Sequence, residues 1–160
     1  MVKVFRVDDR LIHGQVQTSW IREFQINRII IIDDNVVNDP ITMSILKIAK
    51  PPHVDLVVCG TDRALALLEK DAAQANARTL VIFKTITTAD VLVKQGLEIP
   101  SMVIGPASGK EGTVQMAKNT YFSPEELEAA RDLNERQVDV RFQLLPSEMP
   151  VSLADILKKM

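Results

Sequence analysis

The sequence has a single cysteine, few aromatic residues and no excess of basic charge. Its 160 residues include one Cys, one Trp and one Tyr, and only 4% are aromatic. A single cysteine excludes an intrachain disulfide, so we expect Cys59 to be a small buried thiol in a reducing compartment. The net charge is −2, and no basic run alternates with aromatic residues. This composition argues against nucleic-acid binding.

Long hydrophobic runs are also missing. No apolar stretch approaches the roughly 20 residues that a membrane-spanning helix needs, and we expect no signal peptide. His53, one of only two histidines, lacks a cysteine or carboxylate at metal-ligand spacing, so we take it as a structural or surface residue and predict no metal or cofactor. With 160 residues and 46% hydrophobic composition, the chain is expected to form one globular domain, 1–160.

Short apolar segments alternate with amphipathic helical segments along most of the chain. Continuous apolar runs of this kind are typical of parallel strands that are covered on both faces. The predicted strands span residues 2–7, 29–32, 54–59, 79–83 and 101–104. This alternation predicts a doubly wound α/β fold with a mostly parallel sheet of about six or seven strands and helices on both faces. The strand order is not predicted by the pattern.

Local signals add detail to this fold. A helix over 40–50 carries Ile41, Ile45 and Ile48 on one face and is stopped by Pro51.

Further signals lie near the end of the chain. Ser123 and Pro124 followed by Glu126 form a complete helix start. The alternation over 137–144 predicts a half-exposed edge strand, and Ser152 is positioned to cap a last short helix.

The loop that leaves the first strand concentrates the reactive side chains. Asp8, Asp9, Arg10 and His13 lie between that strand and a helix predicted to begin near Gly14. In an open parallel sheet, ligands and reacting groups occupy the loops at the carboxyl ends of the strands. An imidazole is a good nucleophile near neutral pH when a partner fixes its tautomer. We expect Asp8 or Asp9 to be that partner.

Groups suited to anions flank His13. The Arg10 guanidinium matches phosphoryl oxygens in charge and geometry. Gly14 allows close backbone approach, and the amides of Gly14, Gln15 and Val16 lie at the predicted helix N-terminus, which favours negative charge. These residues predict a loop that holds a phosphoryl group on a histidine. The alternative from the same residues is an ordinary solvated turn.

Two further segments are candidates for the same site. Lys84 and Thr85 leave the fourth strand, where Lys84 supplies a second positive charge or is simply solvated, and Thr85 offers a hydroxyl. The loop 105–112 is rich in glycine but is not a P-loop, because Glu111 stands where a magnesium-binding hydroxyl is required. We expect a mobile rim loop that meets a partner, or a plain turn.

The segment 7–16, followed by Trp20, resembles the N-terminal signature of the IIB components of the mannose/fructose/sorbose family of the bacterial sugar phosphotransferase system (PTS). The resemblance extends over essentially the whole chain, including 83–85 and 140–146. It implies that His13 is transiently phosphorylated and that Arg10 assists the transfer, which makes the protein a phosphohistidine-to-sugar phosphotransferase. One departure is Gly105-Pro106-Ala107, where the family commonly has Asn-Val-Gly.

The resemblance also implies partners. The phosphoryl group would come from a phosphohistidine on a IIA partner and pass to a sugar delivered by the membrane components IIC and IID. Such a protein works in the cytoplasm at the inner face of the membrane. Mannose, fructose, sorbose and N-acetylgalactosamine are all open as the sugar, and so is a homo-oligomeric state.

Three alternative functions can be compared with the sequence. A response-regulator receiver domain needs an aspartate at the end of strand three, where this chain has Cys59 and Gly60. A phosphoglycerate-mutase-like enzyme has arginine next to its phosphohistidine, whereas here Arg10 and His13 are three residues apart. The third alternative is a non-catalytic binding or signalling module in which His13 is not phosphorylated, and only an assay for phosphate on His13 separates it from the carrier.

Overall fold

The computed structural model describes residues 2–160, and for Val2, Gln15 and Val16 it describes the backbone alone. Within this range the chain forms nine strands, six α-helices and a 3-10 turn at Val36–Asn38. The strands are β1 (Val2–Val7), β2 (Arg28–Ile32), β3 (Asp55–Cys59), β4 (Arg78–Phe83), β5 (Ser101–Ile104), β6 (Val114–Ala117), β7 (Thr120–Phe122), β8 (Asp139–Phe142) and β9 (Val151–Ser152). The helices are α1 (Gly14–Glu23), α2 (Pro40–Ala49), α3 (Thr61–Ala72), α4 (Ile86–Lys94), α5 (Pro124–Glu135) and α6 (Leu153–Lys158).

Seven of the strands form one sheet in the order β3-β2-β4-β1-β5-β8-β9, with β6 and β7 in a separate hairpin. Every neighbouring pair in the sheet is parallel except β8 and β9. The predicted α/β class and strand number are confirmed. β1 lies in the centre between β4 and β5, as expected for the placement of Lys84 beside the first loop. The carboxyl ends of these three strands therefore meet at one edge of the sheet.

Hydrophobic side chains pack on both faces of the sheet. One layer, which includes residues of α1 and α2, is built around the buried isoleucines Ile29 and Ile31 of β2. The larger layer contains Ile30 and Ile32 with residues of α3, α4, α5 and α6. Alternate residues of one strand thus enter opposite layers, which explains why β2 is continuously apolar.

The predicted edge strand is not at the edge. β8 pairs with β5 on one side and with the two-residue β9 on the other, so β9 is the outermost strand. The alternating burial of β8 resembles an edge strand because its outer partner covers only Arg141 and Phe142. At the next helix, Ser152 occupies the cap position, but its side chain makes no capping hydrogen bond.

The face of α2 that carries the three isoleucines points outward. Ile41, Ile45 and Ile48 are 74%, 59% and 84% exposed, whereas Leu46 is buried at 3%. The helix therefore packs on the sheet through Leu46 and leaves its second apolar stripe in solvent. No helix in the part of the chain described is long and apolar enough to cross a membrane.

At the end of the sheet opposite the His13 loop, a buried carboxylate links one helix to three strands. Asp71 of α3 is 1% exposed. It accepts hydrogen bonds from the Thr79 hydroxyl at 2.8 and 3.0 Å, and it forms ion pairs with Lys3 at 3.6 Å and Arg28 at 3.5 Å. Replacing Asp71 with alanine should lower the free energy of unfolding by about 3 kcal/mol, because the partner charges lose their counter-ion. Urea denaturation measures the loss.

The control is Asp139→Ala, which removes an ion pair between Asp139 and Arg141 whose side chains are 43% and 51% exposed. Exposed pairs contribute less than about 1 kcal/mol. Equal losses in the two variants would contradict the structural importance of Asp71.

Candidate functional site

The first loop is held against the end of the sheet by its two central apolar residues. Leu11 and Ile12 are 4% and 7% exposed, as expected for residues that anchor the loop. The Leu11 amide donates to the Asp8 carbonyl at 3.1 Å, and Leu11 adopts a left-handed φ of 61°. The Gln17 side chain supports this turn by donating to the Leu11 carbonyl. His13 follows directly and is the N-cap residue of α1.

His13 is hydrogen-bonded to Asp8. Its Nε2 lies 2.9 Å from Asp8 Oδ2, and the second carboxylate oxygen, Oδ1, accepts from the Arg10 amide at 3.0 Å. The Asp8 side chain is fully buried, while the His13 side chain is 17% exposed. Of the two aspartates considered, Asp8 is the partner and Asp9 is not. Among the residues described, the His13 ring makes its hydrogen bond through Nε2 and none through Nδ1.

A buried arginine completes this pair. Arg6 of β1 is 0% exposed, and its Nη2 lies 3.5 Å from Asp8 Oδ2. Burial lowers the pKa of Arg6, and the charge of Asp8 acts in the opposite direction. Arg6 was not among the residues predicted for this site. The available signal was an arginine inside an apolar strand, two residues before an aspartate and therefore on the same face of that strand.

Arg6 is enclosed on its other sides as well. Its guanidinium lies 5.0 Å from the ring centre of Trp20, a cation–π contact. It also donates to the carbonyls of Gln143 at 3.1 Å and Leu144 at 3.4 Å. Gly105 leaves room for it, because a Cβ there would stand 2.6 Å from Arg6 Nη2. The segment after β8 and the loop after β5 thus both contact the ion pair.

The other groups predicted to bind the phosphoryl group surround the open side of the loop. Arg10 is exposed, and among the residues described no carboxylate lies within 4 Å of its guanidinium. Gly14 has a φ of 39° and open space around its α-carbon. Gly14 and the backbone of Gln15 and Val16 form the first turn of α1, as predicted. The Gln15 side chain lies outside the part of the chain that the structure describes.

Asp9, Lys84 and Thr85 lie beside the loop and share one cleft of about 390 Å³. Burial first, then repulsion from Asp8, raise the pKa of the Asp9 carboxyl, while Arg10, His13 and Lys84 act against the rise. Lys84 is thus within electrostatic range of the loop. Thr85 instead caps α4, since its hydroxyl accepts from the amide of Thr87 at 3.0 Å. This cap places the start of α4 at Ile86.

The glycine-rich loop after β5 is tied to the hairpin. The Ala107 amide donates to the Asn119 carbonyl, and the Tyr121 amide donates to the Ala107 carbonyl, both at 3.0 Å. Gly109 packs against the Tyr121 ring. The loop is therefore anchored and is not a free rim. The loop forms one wall of the cleft that Lys84 lines. It also lines a second cleft, of about 600 Å³, together with Arg10.

The two remaining candidates lie apart from this site. Cys59 is buried at the end of β3, where burial raises the pKa of its thiol to about 11. His53 is exposed before β3. No group of three or more His, Cys, Asp or Glu side chains within the described chain is arranged to hold a metal ion. The end of strand three has no aspartate that could be phosphorylated.

Comparisons with known proteins agree with this geometry. The family model described as "PTS system sorbose subfamily IIB component" matches residues 2–160. The sorbose-specific EIIB component of Lacticaseibacillus casei is 32% identical over 159 residues, covering 99% of this chain and 94% of the relative. The mannose-specific EIIAB component of Escherichia coli strain K12 is 27% identical over 99% of this chain, which spans 49% of that longer protein.

A solved structure shows the same fold. The crystal structure of the IIBSor domain of the sorbose permease from Klebsiella pneumoniae superposes with a TM-score of 0.89 at 30% identity, covering 100% of this chain and 98% of that chain. The similarity therefore includes the whole sheet and the loop that carries His13. The chain belongs to the sorbose subfamily of IIB components of the phosphotransferase system.

Proposed function

We propose that the protein is a phosphocarrier whose His13 accepts a phosphoryl group from a phosphohistidine on a IIA partner and delivers it to a sugar. The observation that carries this proposal is the hydrogen bond between His13 Nε2 and the buried Asp8 carboxylate. An ionised carboxylate only accepts hydrogen bonds, so it places the ring proton on Nε2. The lone pair of Nδ1 is then the nucleophile, at the carboxyl end of the central strand.

The transfer consists of two in-line displacements. In the first, His13 Nδ1 attacks the phosphorus of the donor, and the bond between phosphorus and the donor's imidazole nitrogen breaks. In the second, a sugar hydroxyl attacks the phosphorus on His13. The nitrogen–phosphorus bond breaks with its electron pair returning to Nδ1, the hydroxyl proton passes to water, and His13 returns to its neutral imidazole. Both steps depend on alignment of the nucleophile with the phosphorus and on neutralisation of the charge on the phosphoryl oxygens. They depend less on a general base.

Positive groups around the loop supply that neutralisation. No carboxylate in the described chain forms an ion pair with the Arg10 guanidinium. Arg10 lines the open cleft beside the loop. The amides at the start of α1 add the partial positive charge of a helix N-terminus. Lys84, in the adjoining cleft, contributes a second full charge. We assign orientation of the imidazole to Asp8, whereas Asp9 and Thr85 line the cleft without contacting His13.

Arg10→Ala should slow phosphoryl transfer about 100-fold, the typical cost of removing one charge-stabilising donor. The side chain is exposed, so we expect the unfolding midpoint to stay at the wild-type value. Rapid-quench measurement of phosphate transfer from phospho-IIA gives the rate. Arg141→Ala, which removes an exposed arginine from β8, is the matched control. Wild-type transfer in a folded Arg10→Ala protein would rule out this role.

The partners follow from the chemistry of a carrier. We infer that the chain acts as a single IIB domain, 1–160, in the cytoplasm, held at the inner face of the membrane by the IIC and IID components. The docking face surrounds the His13 loop and is of modest area, because a carrier that moves between IIA and the membrane components must release each of them. The sugar is of the mannose, fructose, sorbose or N-acetylgalactosamine class.

Intact-mass spectrometry tests the proposal. The protein is incubated with phosphoenolpyruvate, the general phosphotransferase proteins and a IIA of this family, and the mass is taken at alkaline pH, where phosphohistidine survives. We expect a gain of about 80 Da, one phosphoryl group, that is lost on mild acid treatment. No gain with several competent IIA donors would overturn the proposal and favour a binding module in which His13 is not phosphorylated.

A further inference from the structure

Arg6 is the least expected residue of the site. A guanidinium that is 0% exposed loses its hydration, which destabilises the fold unless its charge and its donors are paired. Its Nε has no hydrogen-bond partner in the described chain. All the partners of Arg6 are reached through Nη1 and Nη2. The end of the guanidinium that makes hydrogen bonds is therefore the end that faces Asp8.

Arg6 and His13 meet on the same atom. Asp8 Oδ2 lies 3.5 Å from Arg6 Nη2 and 2.9 Å from His13 Nε2. In the described chain, these two residues are the only cationic side chains within 4 Å of the Asp8 carboxylate. His13 is neutral when it acts as a nucleophile. Arg6 is thus the one permanent counter-ion of a fully buried carboxylate.

The guanidinium itself has little freedom to move. The carbonyls of Gln143 and Leu144 accept from it, and the Leu144 carbonyl is fixed in turn by the Trp20 indole N–H at 2.8 Å. On the remaining side, the α-carbon of Gly105 leaves too little room for a methyl group. The position of Asp8 Oδ2 is therefore set from outside the loop, by parts of the chain about 100 and 140 residues later.

We propose that Arg6 is a positioning residue for His13, acting through Asp8. By holding Asp8 Oδ2 in place, Arg6 keeps the His13 proton on Nε2 and leaves Nδ1 unprotonated. Without this cation the carboxylate would lose its charge-assisted contact and could turn away from the ring, so its oxygen would no longer be held where it accepts from Nε2. This inference rests on the proposed function, which makes Nδ1 the phosphoryl acceptor.

A simpler role for Arg6 is a structural link between β1 and the segment after β8. Both roles predict that loss of Arg6 lowers stability. They differ in the state of His13, because a link affects how much protein is folded and not which ring nitrogen of the folded protein carries the proton. The tautomer of His13 therefore separates the two roles, and it can be measured without any partner protein.

The test is ¹⁵N NMR of the His13 ring in Arg6→Gln, Arg6→Lys and wild-type protein at a pH where the ring is neutral. We expect Nε2–H to dominate in the wild type. In Arg6→Gln the ratio of Nε2–H to Nδ1–H should fall about tenfold, since a charge-assisted interaction is replaced by a neutral one. Arg6→Lys restores the charge and should restore most of the ratio.

Two further variants keep the test decisive. Arg28→Gln removes an arginine that pairs with Asp71 at the far end of the sheet, so it should reduce stability and leave the tautomer ratio at the wild-type value. If Arg6→Gln does not fold, Arg6→Met replaces it, because methionine removes the charge without burying an unpaired amide and should lower the ratio in the same direction.

A wild-type tautomer ratio in folded Arg6→Gln or in folded Arg6→Met would overturn the positioning role and leave only the structural link. In Arg28→Gln, by contrast, a wild-type tautomer ratio is the expected result and supports the positioning role of Arg6. These outcomes are independent of phosphorylation. If the tautomer responds as expected but wild-type His13 accepts no phosphate, the proposed function fails while the positioning of the ring by Arg6 stands.

Discussion

Replacing His13 with glutamine should abolish phosphorylation by the IIA partner, lowering the transfer rate more than about 10³-fold. Glutamine is close to histidine in size and can keep a hydrogen bond to Asp8, so the fold should survive. Its amide nitrogen has no available lone pair and cannot form the phosphoramidate bond. Intact mass at alkaline pH and a rapid-quench time course with phospho-IIA measure the loss.

The chain provides its own control for this variant. His53 is the only other histidine in the sequence, and it is exposed before β3. His53→Gln should be phosphorylated at the wild-type rate. Full phosphorylation of His13→Gln, or its loss in His53→Gln, would place the phosphoryl group elsewhere and remove His13 from the mechanism.

The second large effect is expected for Asp8→Asn, which should slow transfer about 10³-fold, as the wrong tautomer does in other sites where a buried carboxylate orients a histidine. The side-chain amide has both a donor and an acceptor, so it no longer fixes the proton on His13 Nε2. Arg6 also loses its counter-ion, and we expect the unfolding midpoint to fall. The rate must therefore be measured at a temperature where the variant is folded, as checked by circular dichroism.

Asp9→Asn is the matched comparison, because Asp9 is the neighbouring carboxylate and does not contact His13. Its side chain is exposed, and the charge change is the same. We expect transfer to change less than about fivefold, the scale of an unpaired surface charge near a site. Similar losses in Asp8→Asn and Asp9→Asn would show that the net charge of the loop, and not the orientation of the imidazole, controls the rate.

Much of the site could be predicted from the sequence because it is local. Asp8, Arg10 and His13 belong to one short loop, and the structure places that loop at the carboxyl end of a parallel strand, where ligands are expected to bind. The pairing of β1 with β4, which brings Lys84 near the loop, is seen only in the structure, because the pattern of the sequence does not give the strand order. The choice between Asp8 and Asp9 could not be predicted, since only the direction of each side chain at the end of β1 decides it.

The contacts that sequence reasoning missed are the non-local ones. Arg6 binds the carbonyls of Gln143 and Leu144 and depends on the missing side chain of Gly105. None of these residues is near Arg6 in sequence. Backbone carbonyls leave no signature in a sequence, because every residue has one. A buried arginine was also unexpected since arginine is normally exposed.

The outward stripe of α2 illustrates a related limit. Periodicity showed that Ile41, Ile45 and Ile48 share a face, but it did not show which face of the helix meets the sheet. Leu46 takes that place. Similarly, the alternation over 137–144 correctly indicated half-exposure of β8 and not its position, because the two-residue β9 is too short to have a pattern of its own.

The ring nitrogen that carries the phosphoryl group can be identified by NMR of the phosphorylated protein with ¹⁵N-labelled histidine. His53→Gln leaves His13 as the only histidine, which makes the assignment direct. We predict coupling of ³¹P to Nδ1 of His13, with Nε2 still protonated and hydrogen-bonded to Asp8. A phosphoryl group on Nε2, or on a residue other than His13, would contradict the mechanism.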